Sequence, residues 1–304
     1  DDFMQLIENA TRNPGSDDSW DLIDPHSGKV IKTVPAKTLW VKLIQNRVET
    51  GEPYIVFKDT VDEALPEFQQ KLGLKVHQSN LCSEIILPTN EERTAVCCLS
   101  SVNLEYYDAW SRQPLFLRDV AEMLDNVLTF FIENAPNQVK RAKYSAMRER
   151  SIGVGALGFH AYLQKNGLAW ESNEAKGANL RMFRHIRSKL DEANISLGKE
   201  RGEAPDAEGT GYRFSHLMAI APNASSSIIM GNTSPSIEPW RANAYRQDTL
   251  SGAYLNKNKY LDSIITEYCE KHPRTNYDEV WSSIIGNDGS VPVSYTHLTL
   301  PTKA

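Results

Sequence analysis

Three short segments of this sequence carry side chains that could do covalent or radical chemistry, or bind an anion. The first spans residues 80–84 and places an amide, a thiol and a carboxylate at alternate positions, Asn80, Cys82 and Glu84. In an extended segment these side chains would project from one side, each about 7 Å from the next. The carboxylate could accept the proton of a substrate hydroxyl while the amide holds that hydroxyl. The thiol could be a nucleophile, a metal ligand or a hydrogen-atom carrier, and a small buried cysteine beside a surface Glu fits the spacing equally well.

The second segment contains the adjacent cysteines Cys97 and Cys98 within the apolar stretch 95–104. Neighbouring residues on a strand face opposite sides, so one thiol can face a site while the other packs into the core. Two buried cysteines that act only as small apolar side chains give the same pattern. The pair therefore predicts a strand and leaves the choice between redox chemistry and packing open.

The third segment spans residues 221–227, where a predicted strand gives way to a run of small hydroxyl residues. Exposed backbone N–H groups at such a turn or helix start can cradle a phosphate, and small side chains let it approach the backbone. An ordinary serine-rich helix cap has the same composition, so both interpretations stay open. The candidate phosphate-binding residues are Asn223, Ala224, Ser225, Ser226 and Ser227.

The elements that must position these segments follow from hydrophobic spacing and turn residues. The spacing predicts helices over residues 36–50, 117–135, 158–165, 174–201, 260–271 and 278–285. Strands are predicted over residues 54–57, 95–104, 152–157 and 216–221. This alternation indicates an α/β fold. Because no repeat or linker interrupts the pattern, residues 1–291 are assigned to one domain, and residues 292–304, which lack amphipathic spacing, are expected to be a non-native tail.

Composition excludes several classes of protein. A hydrophobic fraction of 40% and a charged fraction of 24% are typical of a globular chain. The net charge of -6 gives no basic field for nucleic acid, and no apolar run approaches the roughly 20 residues that cross a bilayer. Four cysteines without a C-x-x-C pair predict neither a disulfide scaffold nor a zinc site, and no metal ligands are assigned. A reducing, cytoplasmic location is expected.

Taken together, the three segments resemble the large, catalytic subunit of aerobic class I ribonucleotide reductases. They occur in the family's order and at compatible separations, and the resemblance runs from about residue 20 to residue 291. The matching segments are 78–85, 97–100, 103–104, 150–155, 221–227 and 237–239. The resemblance implies a ten-stranded α/β barrel built from two antiparallel half-barrels, with a finger loop that carries Cys82. This chain would supply about the C-terminal half of that barrel.

The resemblance also implies a role for each site residue. Cys82 would be the transient thiyl radical that removes the 3′ hydrogen of a ribonucleotide, and Glu84 the base that takes the 3′ hydroxyl proton. Asn80 would hydrogen-bond the substrate hydroxyls and the Glu84 carboxylate. Cys97, placed by the register of residues 99–100, would be one half of the redox pair that ends as a disulfide. Residues 223–227 would bind the substrate phosphates.

The activity implied is reduction of ribonucleotides, expected as ribonucleoside diphosphates, to 2′-deoxyribonucleotides for DNA precursor synthesis. No cofactor is expected in this chain. The radical would come from a separate metal-containing small subunit, and the reductant would be thioredoxin or glutaredoxin. A homodimer of large subunits is expected, with nucleotide effectors bound outside this segment. Because the partner of Cys97 and the radical-transfer tyrosines have no match here, the chain alone is expected to be inactive.

Three alternatives stay open. A cobalamin-dependent reductase shares the chemistry of Cys82 and Glu84, whereas a glycyl-radical lyase would use both Cys97 and Cys98. An inactive phosphate-binding fragment would need none of these roles. The glycine pattern at 153–158 fits a dinucleotide-binding motif, but the charged residues 148–151 before it favour close backbone packing instead. Cys269 is interpreted as structural.

Overall fold

The computed structural model describes residues 2–292, so the predicted tail from residue 293 onward lies outside the described residues. The described residues divide into two compact units, the first ending at Arg93 and the second beginning at Thr94. Among the described residues, no helix combines the length and the apolar content that a membrane crossing needs.

The first unit is built from two helices and a hairpin, followed by short helices and a long irregular segment. Its elements are α1 (Asp2–Arg12), β1 (Ser19–Ile23), β2 (Val30–Pro35), α2 (Ala36–Thr50), α3 (Lys58–Glu63) and α4 (Glu67–Lys71). β1 and β2 pair antiparallel. The ring of Phe3 lies 5.0 Å from that of Trp20 and 6.5 Å from that of Trp40, so one aromatic side chain of α1 contacts both the hairpin and α2.

The second unit contains most of the secondary structure. Its elements are β3 (Leu99–Asn103), α5 (Tyr107–Trp110), α6 (Phe116–Asn134), α7 (Lys140–Glu149), β4 (Gly153–Leu157), α8 (Phe159–Lys165), α9 (Asn173–Arg201), α10 (Ala224–Ile229), β5 (Ala244–Thr249), β6 (Gly252–Lys257), α11 (Lys259–Lys271) and α12 (Tyr277–Gly286). β3 and β4 pair in parallel, with Leu99 opposite Gly153, and β5 and β6 form an antiparallel hairpin.

The main core of this unit lies between the β3–β4 pair and the long helices α6 and α9. Ser172 caps α9 by accepting a hydrogen bond from the Ala175 N–H group, and Gly202 follows the last turn. The buried side of α9 shows the helical spacing that the sequence predicts. Its buried apolar residues are Ala175, Ala178, Met182, Ile186, Leu190, Ala193 and Leu197. A smaller core packs Ile265 of α11 against Trp281 and Ile284 of α12.

A buried charge cluster joins three of the helices to the core. Asp125 of α6 is fully buried and accepts hydrogen bonds from the guanidinium groups of Arg150, Arg201 and Arg213 at 2.5–3.0 Å. Burial alone would raise the pKa of Asp125, but the hydrogen bonds and charges of the three arginines hold it below its usual value. The cluster therefore fixes the ends of α7 and α9 against α6.

The glycine pattern at 153–158 serves close packing, in agreement with the sequence interpretation. A Cβ atom on Gly153 would lie 2.8 Å from the Ala219 Cβ, and one on Gly155 would lie 2.3 Å from the Ala219 carbonyl oxygen. Gly158 has a φ of +79°, and a Cβ there would lie 2.4 Å from Asn103 Oδ1. Only glycine lets β4 approach the 216–221 segment and then turn into α8.

The α/β character predicted from the sequence is confirmed, whereas several details differ. The helix at 36–50 is found at those bounds, the helix predicted at 117–135 is shifted by one residue to 116–134, and the helix at 173–201 starts one residue before its predicted start. The strand predicted at 54–57 is wrong, because Tyr54, Val56 and Phe57 are exposed and irregular. Residues 216–221 are also not a strand: the N–H groups of Ile152 and Val154 donate to the His216 and Leu217 carbonyls, but the segment as a whole is irregular. Within residues 2–292 the strands form three two-stranded sheets and no closed barrel.

Candidate active site

The predicted reactive segment 80–84 is a tight turn in the first unit and not an extended strand. The Asn80 N–H group donates to the Ile85 carbonyl at 3.2 Å, and the Ile85 N–H group donates back to Asn80 Oδ1 at 3.0 Å. Within this closed loop the Ser83 N–H group donates to the Asn80 carbonyl at 3.1 Å, and Ser83 has a φ of +62°. The expected row of three side chains on one side is therefore wrong, because the chain reverses between Asn80 and Ile85.

The turn presents its thiol and its carboxylate in different surroundings. Cys82 is exposed at the tip, beside Leu81, which is 90% exposed. Glu84 is half-buried, and its Oε2 atom is fully buried with no hydrogen-bond partner among the described residues. A buried carboxylate oxygen without a donor is costly unless a ligand satisfies it. Ile85, buried next to it, anchors the base of the turn.

The oxygen and the nitrogen of the Asn80 amide have different roles. Its Oδ1 atom is engaged by the Ile85 N–H group and so holds the turn closed. No hydrogen bond to Glu84 is formed in this structure. The amide nitrogen therefore remains the atom of Asn80 that could donate to a substrate hydroxyl.

The adjacent cysteines lie just before β3 in the second unit and differ sharply in exposure. Cys97 is exposed, whereas Cys98 is buried in the main core and its thiol donates to the Leu124 carbonyl at 3.7 Å. Burial raises the pKa of Cys98 to about 11, so its thiolate is disfavoured. Of the two, only Cys97 is accessible to a substrate or a reductant.

The 221–227 segment forms a turn into the short helix α10. Asn223 has a φ of +56°, and its amide donates to the carbonyls of Ala156 and Ala221 at 3.2 and 2.8 Å. Its side chain thus fastens the turn to the end of β4, which the sequence did not predict. The Ser227 hydroxyl is buried and donates to the Ala224 carbonyl, so it too is used within the turn.

The remaining residues of this turn face solvent. Ala224, Ser225 and Ser226 are exposed, and they occupy the first turn of α10, where backbone N–H groups have no partner inside the helix. Two hydroxyls and the first-turn N–H groups are therefore the groups that could contact a phosphate. Cys97 lies at the N-terminal end of the β3–β4 pair, where the Gly153 N–H group donates to the Cys98 carbonyl, whereas α10 is fastened near the C-terminal end.

The chain matches a known protein family over most of its length. A family model described as the ribonucleotide reductase barrel domain matches residues 1–210 and 206–280. The chain belongs to the ribonucleotide reductase barrel-domain family. The match spans both compact units and covers all three segments that the sequence singled out.

Relatives of this reductase family include viral proteins of high identity. A ribonucleoside-diphosphate reductase large subunit from Invertebrate iridescent virus 3 is 56% identical over 272 residues, which cover 90% of this chain and 43% of the relative. A putative large subunit from Frog virus 3 is 45% identical over 294 residues, covering 96% of this chain and 50% of the relative. The chain thus spans half or less of the length of these relatives.

A solved reductase structure has the same fold. The class Id ribonucleotide reductase alpha subunit of Actinobacillus ureae matches with a TM-score of 0.79 and 35% sequence identity. The match covers 96% of this chain and 50% of that subunit. The chain thus matches about half of that subunit.

Sequence reasoning missed a buried polar group of the second unit. Glu105, two residues after β3, is 4% exposed and contacts Lys259 and Tyr260 of α11. No periodicity marks it, because a single Glu after a strand is usually a surface residue. Within the described residues, no group of three or more His, Cys, Asp or Glu side chains is arranged to hold a metal ion.

Proposed function

We propose that this chain is the part of a ribonucleotide reductase large subunit that carries the radical thiol, and that the complete subunit reduces ribonucleoside diphosphates to 2′-deoxyribonucleotides. The observation that carries the proposal is the turn at 80–85, which exposes Cys82 at its tip and holds a buried, partnerless oxygen of Glu84 beside it. Membership of the reductase barrel family supports it. A DNA precursor role in a reducing, cytoplasmic setting follows from that activity.

In the proposed reaction Cys82 removes the hydrogen atom from C3′ of the ribose as a thiyl radical and later returns it. Glu84 takes the 3′ hydroxyl proton, for which its partnerless oxygen is the acceptor. Deprotonation drives loss of the 2′ hydroxyl, which leaves as water by taking a proton from the thiol pair formed by Cys97 and a second cysteine outside this chain. This pair also supplies two electrons and the second proton, which forms the new C2′–H bond, and it becomes a disulfide, while Glu84 returns its proton to the 3′ oxygen. The free amide nitrogen of Asn80 would hold the 3′ hydroxyl during the proton transfer.

The phosphate role is assigned mainly to the exposed part of the α10 turn. The hydroxyls of Ser225 and Ser226 and the N–H groups of the first turn would bind the diphosphate, with Ala224 small enough for close approach. Asn223 and Ser227 would act by shaping the turn, because their side chains already bond within it. This refines the expectation that all five residues contact the phosphates.

The complete enzyme is proposed to need partners that this chain does not supply. A separate metal-containing small subunit would provide the radical, and thioredoxin or glutaredoxin would reduce the disulfide. Two large subunits would form a homodimer, with nucleotide effectors bound outside residues 1–304. The solved relative is an alpha subunit, which supports an enzyme with two kinds of subunit.

The glycyl-radical lyase alternative is less well supported. It requires both adjacent thiols at the substrate, whereas Cys98 is buried in the core and its pKa is raised to about 11 by burial. A thiol that faces away from solvent and resists ionisation suits packing. The structure thus favours a single reactive thiol at this position, Cys97.

The test is deoxynucleotide formation by the complete large subunit, combined with its small subunit and thioredoxin. We expect Cys82→Ser, Glu84→Gln and Cys97→Ser each to lower turnover by about 10³-fold or more. Cys98→Ala and Cys269→Ser are the matched thiol controls and should stay within about threefold of the parent. Loss of activity in Cys98→Ala, with Cys97→Ser active, would overturn the residue assignment and favour a different chemistry.

A further inference from the structure

A buried carboxylate outside the predicted site connects three parts of the second unit. Glu105 follows β3, and one of its oxygens accepts hydrogen bonds from the Tyr260 hydroxyl and from the Lys259 ammonium group, both at 2.6 Å. Its backbone N–H group donates to Asn103 Oδ1 at 3.0 Å. A buried carboxylate is retained only when such donors compensate its lost hydration. Glu105 therefore needs α11 to be in place.

The same ammonium group reaches the segment that follows α10. The Lys259 ammonium also donates to the Gly231 carbonyl at 3.3 Å. The Thr233 N–H group then donates to the Ser227 carbonyl at 3.0 Å, inside α10 itself. Lys259 therefore links the carboxylate of Glu105 to the C-terminal end of α10 through residues 231–233.

Gly158 and Ser234 add further hydrogen bonds to the link between Glu105 and α10. The Gly158 N–H group donates to the Ser234 carbonyl at 2.8 Å, and Ser234 Oγ accepts from the Ala161 N–H group at 3.0 Å. A Cβ atom on Gly158 would lie 2.7 Å from Thr233 Oγ1 and 3.1 Å from the Glu105 nitrogen. The close approach at Gly158 shows that the 231–234 segment and Glu105 meet at one point.

The electrostatics of Glu105 agree with an ion pair at this point. Burial would raise the pKa of its carboxyl, but the hydrogen bonds and the positive charge of Lys259 outweigh burial and hold the pKa below the usual value. Glu105 is thus ionised at neutral pH. Loss of its charge would leave the Lys259 side chain, 37% exposed, free to turn into solvent.

We propose that Glu105 is a positioning residue for the phosphate-binding turn: through Lys259 and residues 231–234 it fixes the C-terminal end of α10, while Asn223 fixes the N-terminal end. This inference rests on the proposed function in one respect, the binding of phosphate by the exposed residues of that turn. Glu105 itself does not touch the substrate.

The first measurement is hydrogen exchange of the 304-residue chain and of its Glu105→Gln variant. Amide protons of residues 224–234 should exchange about threefold faster or more in the variant, while those of the buried face of α9 stay unchanged. The matched control is Glu267→Gln, which removes an exposed i,i+4 pair with Lys271 on the same helix as Lys259. Unchanged exchange at 224–234 in Glu105→Gln would overturn the positioning role.

The second measurement is the dissociation constant of pyrophosphate, used as the probe of the turn. Glu105→Gln should weaken pyrophosphate binding about tenfold, at a temperature where the fold is intact, and Glu267→Gln should not. A role in stability alone would lower the melting temperature without moving this constant, and that result would overturn the proposal. If Glu105→Gln does not fold, Tyr260→Phe, which keeps the ion pair, should show the same two effects at smaller size.

The two measurements separate this inference from the proposed function. Suppose that the parent chain binds no pyrophosphate, while the amide exchange rates of residues 224–234 are still higher in Glu105→Gln. The phosphate role of α10 is then wrong, and the positioning of α10 by Glu105 stands. If the parent binds pyrophosphate and Glu105→Gln changes neither measurement, the phosphate role stands and Glu105 does not position the turn.

Discussion

At the scale of single residues, the adjacent cysteines show how one position along the chain changes chemistry. Cys98 has its thiol in the core with a pKa raised to about 11, whereas Cys97 is exposed. At pH 8 only about one Cys98 in a thousand would be a thiolate. We expect iodoacetamide to label Cys97 at least about tenfold faster than Cys98 in the folded chain. Mass spectrometry of labelled peptides measures both rates, with equal rates in urea as the control.

Equal labelling of the two thiols without denaturant would contradict this difference in burial. The sequence alone predicted that two neighbours would face opposite sides, but it did not decide which thiol is buried. Which thiol is buried depends on α6, because the Leu124 carbonyl accepts a hydrogen bond from the Cys98 thiol. These two residues are 26 positions apart in the chain.

Gly158 is a second residue whose type is set by its surroundings. It has a φ of +79°, and a Cβ would lie 2.4 Å from Asn103 Oδ1. Gly158→Ala should lower the free energy of unfolding by about 2 kcal/mol or more. Gly177→Ala is the matched control, because Gly177 lies inside α9 with nothing within 4 Å of an added Cβ. There alanine should stabilise by about 0.5–1 kcal/mol, and urea denaturation of both variants measures the difference. Equal effects would contradict the described packing at β4.

At the scale of elements, the C-terminal ends of α7 and α9 depend on Asp125 in the middle of α6. Its carboxylate accepts from Arg150, Arg201 and Arg213, and none of these pairs is visible as a sequence motif. Asp125→Asn would leave the buried Arg150 and the partly buried Arg213 without their counter-charge and should destabilise by about 3–5 kcal/mol. Asp119→Asn, an exposed acid on α6, should change stability by less than about 0.5 kcal/mol.

The pH dependence gives a second test of the same cluster. Because the pKa of Asp125 is lowered in the folded state, its contribution is present above the unfolded pKa near 3.8 and is lost as the pH falls below it. Urea denaturation of the parent and of Asp125→Asn should therefore converge toward acid pH. Parallel curves down to pH 3 would show that the carboxylate charge does not act in this way.

His160, a neutral histidine of α8, binds this helix to the backbone at Trp240. The Trp240 N–H group donates to His160 Nδ1 at 3.2 Å, and burial lowers the pKa of His160 from 6.5 to about 4. Since the unfolded state binds the proton more tightly, stability present above pH 6.5 is lost as the pH falls toward 4, by up to about 3 kcal/mol. Burial lowers the pKa of His216 to about 4 and lowers that of His185 as well, so His160→Gln should remove part, and not all, of this dependence of stability on pH.

Chemical denaturation between pH 4.5 and 6.5 measures the slope of this dependence. The control is His26→Gln, a change at an exposed turn residue of the first unit, which should leave the slope as it is in the parent. A slope unchanged in His160→Gln would contradict the buried, neutral state of His160.

At the scale of the whole molecule, the long helices and the family were predictable, and much of the rest was not. The α2 bounds and the α9 stop at Gly202 follow from local spacing and helix-end residues. By contrast, the β1–β2 hairpin lies in a polar region where alternation is weak, and its strands are mostly exposed. The strand predicted at 54–57 was apolar in sequence, yet no neighbour within the first unit buries it.

The candidate site divides in the same way. The family resemblance, and not spacing alone, picked out Cys82, Glu84 and Cys97, and the extended geometry assumed for residues 80–84 was wrong because the Asn80 side chain closes a turn on Ile85. The anchoring role of Asn223 depends on Ala156, 67 positions away in the chain, and Glu105 depends on Lys259, 154 positions away (259 − 105), and no local pattern encodes either contact. Residue types are thus predictable where the chemistry is local, and roles set by tertiary contact are not.

The central claim is that Cys82 removes the 3′ hydrogen of a ribonucleotide. The most direct measurement compares turnover of a 3′-deuterated and an unlabelled ribonucleoside diphosphate by the complete large subunit with its small subunit and thioredoxin. The account predicts slower turnover of the deuterated substrate in the parent enzyme, and no deoxynucleotide from either substrate in Cys82→Ser. Equal rates for the two substrates together with deoxynucleotide formation by Cys82→Ser would contradict it.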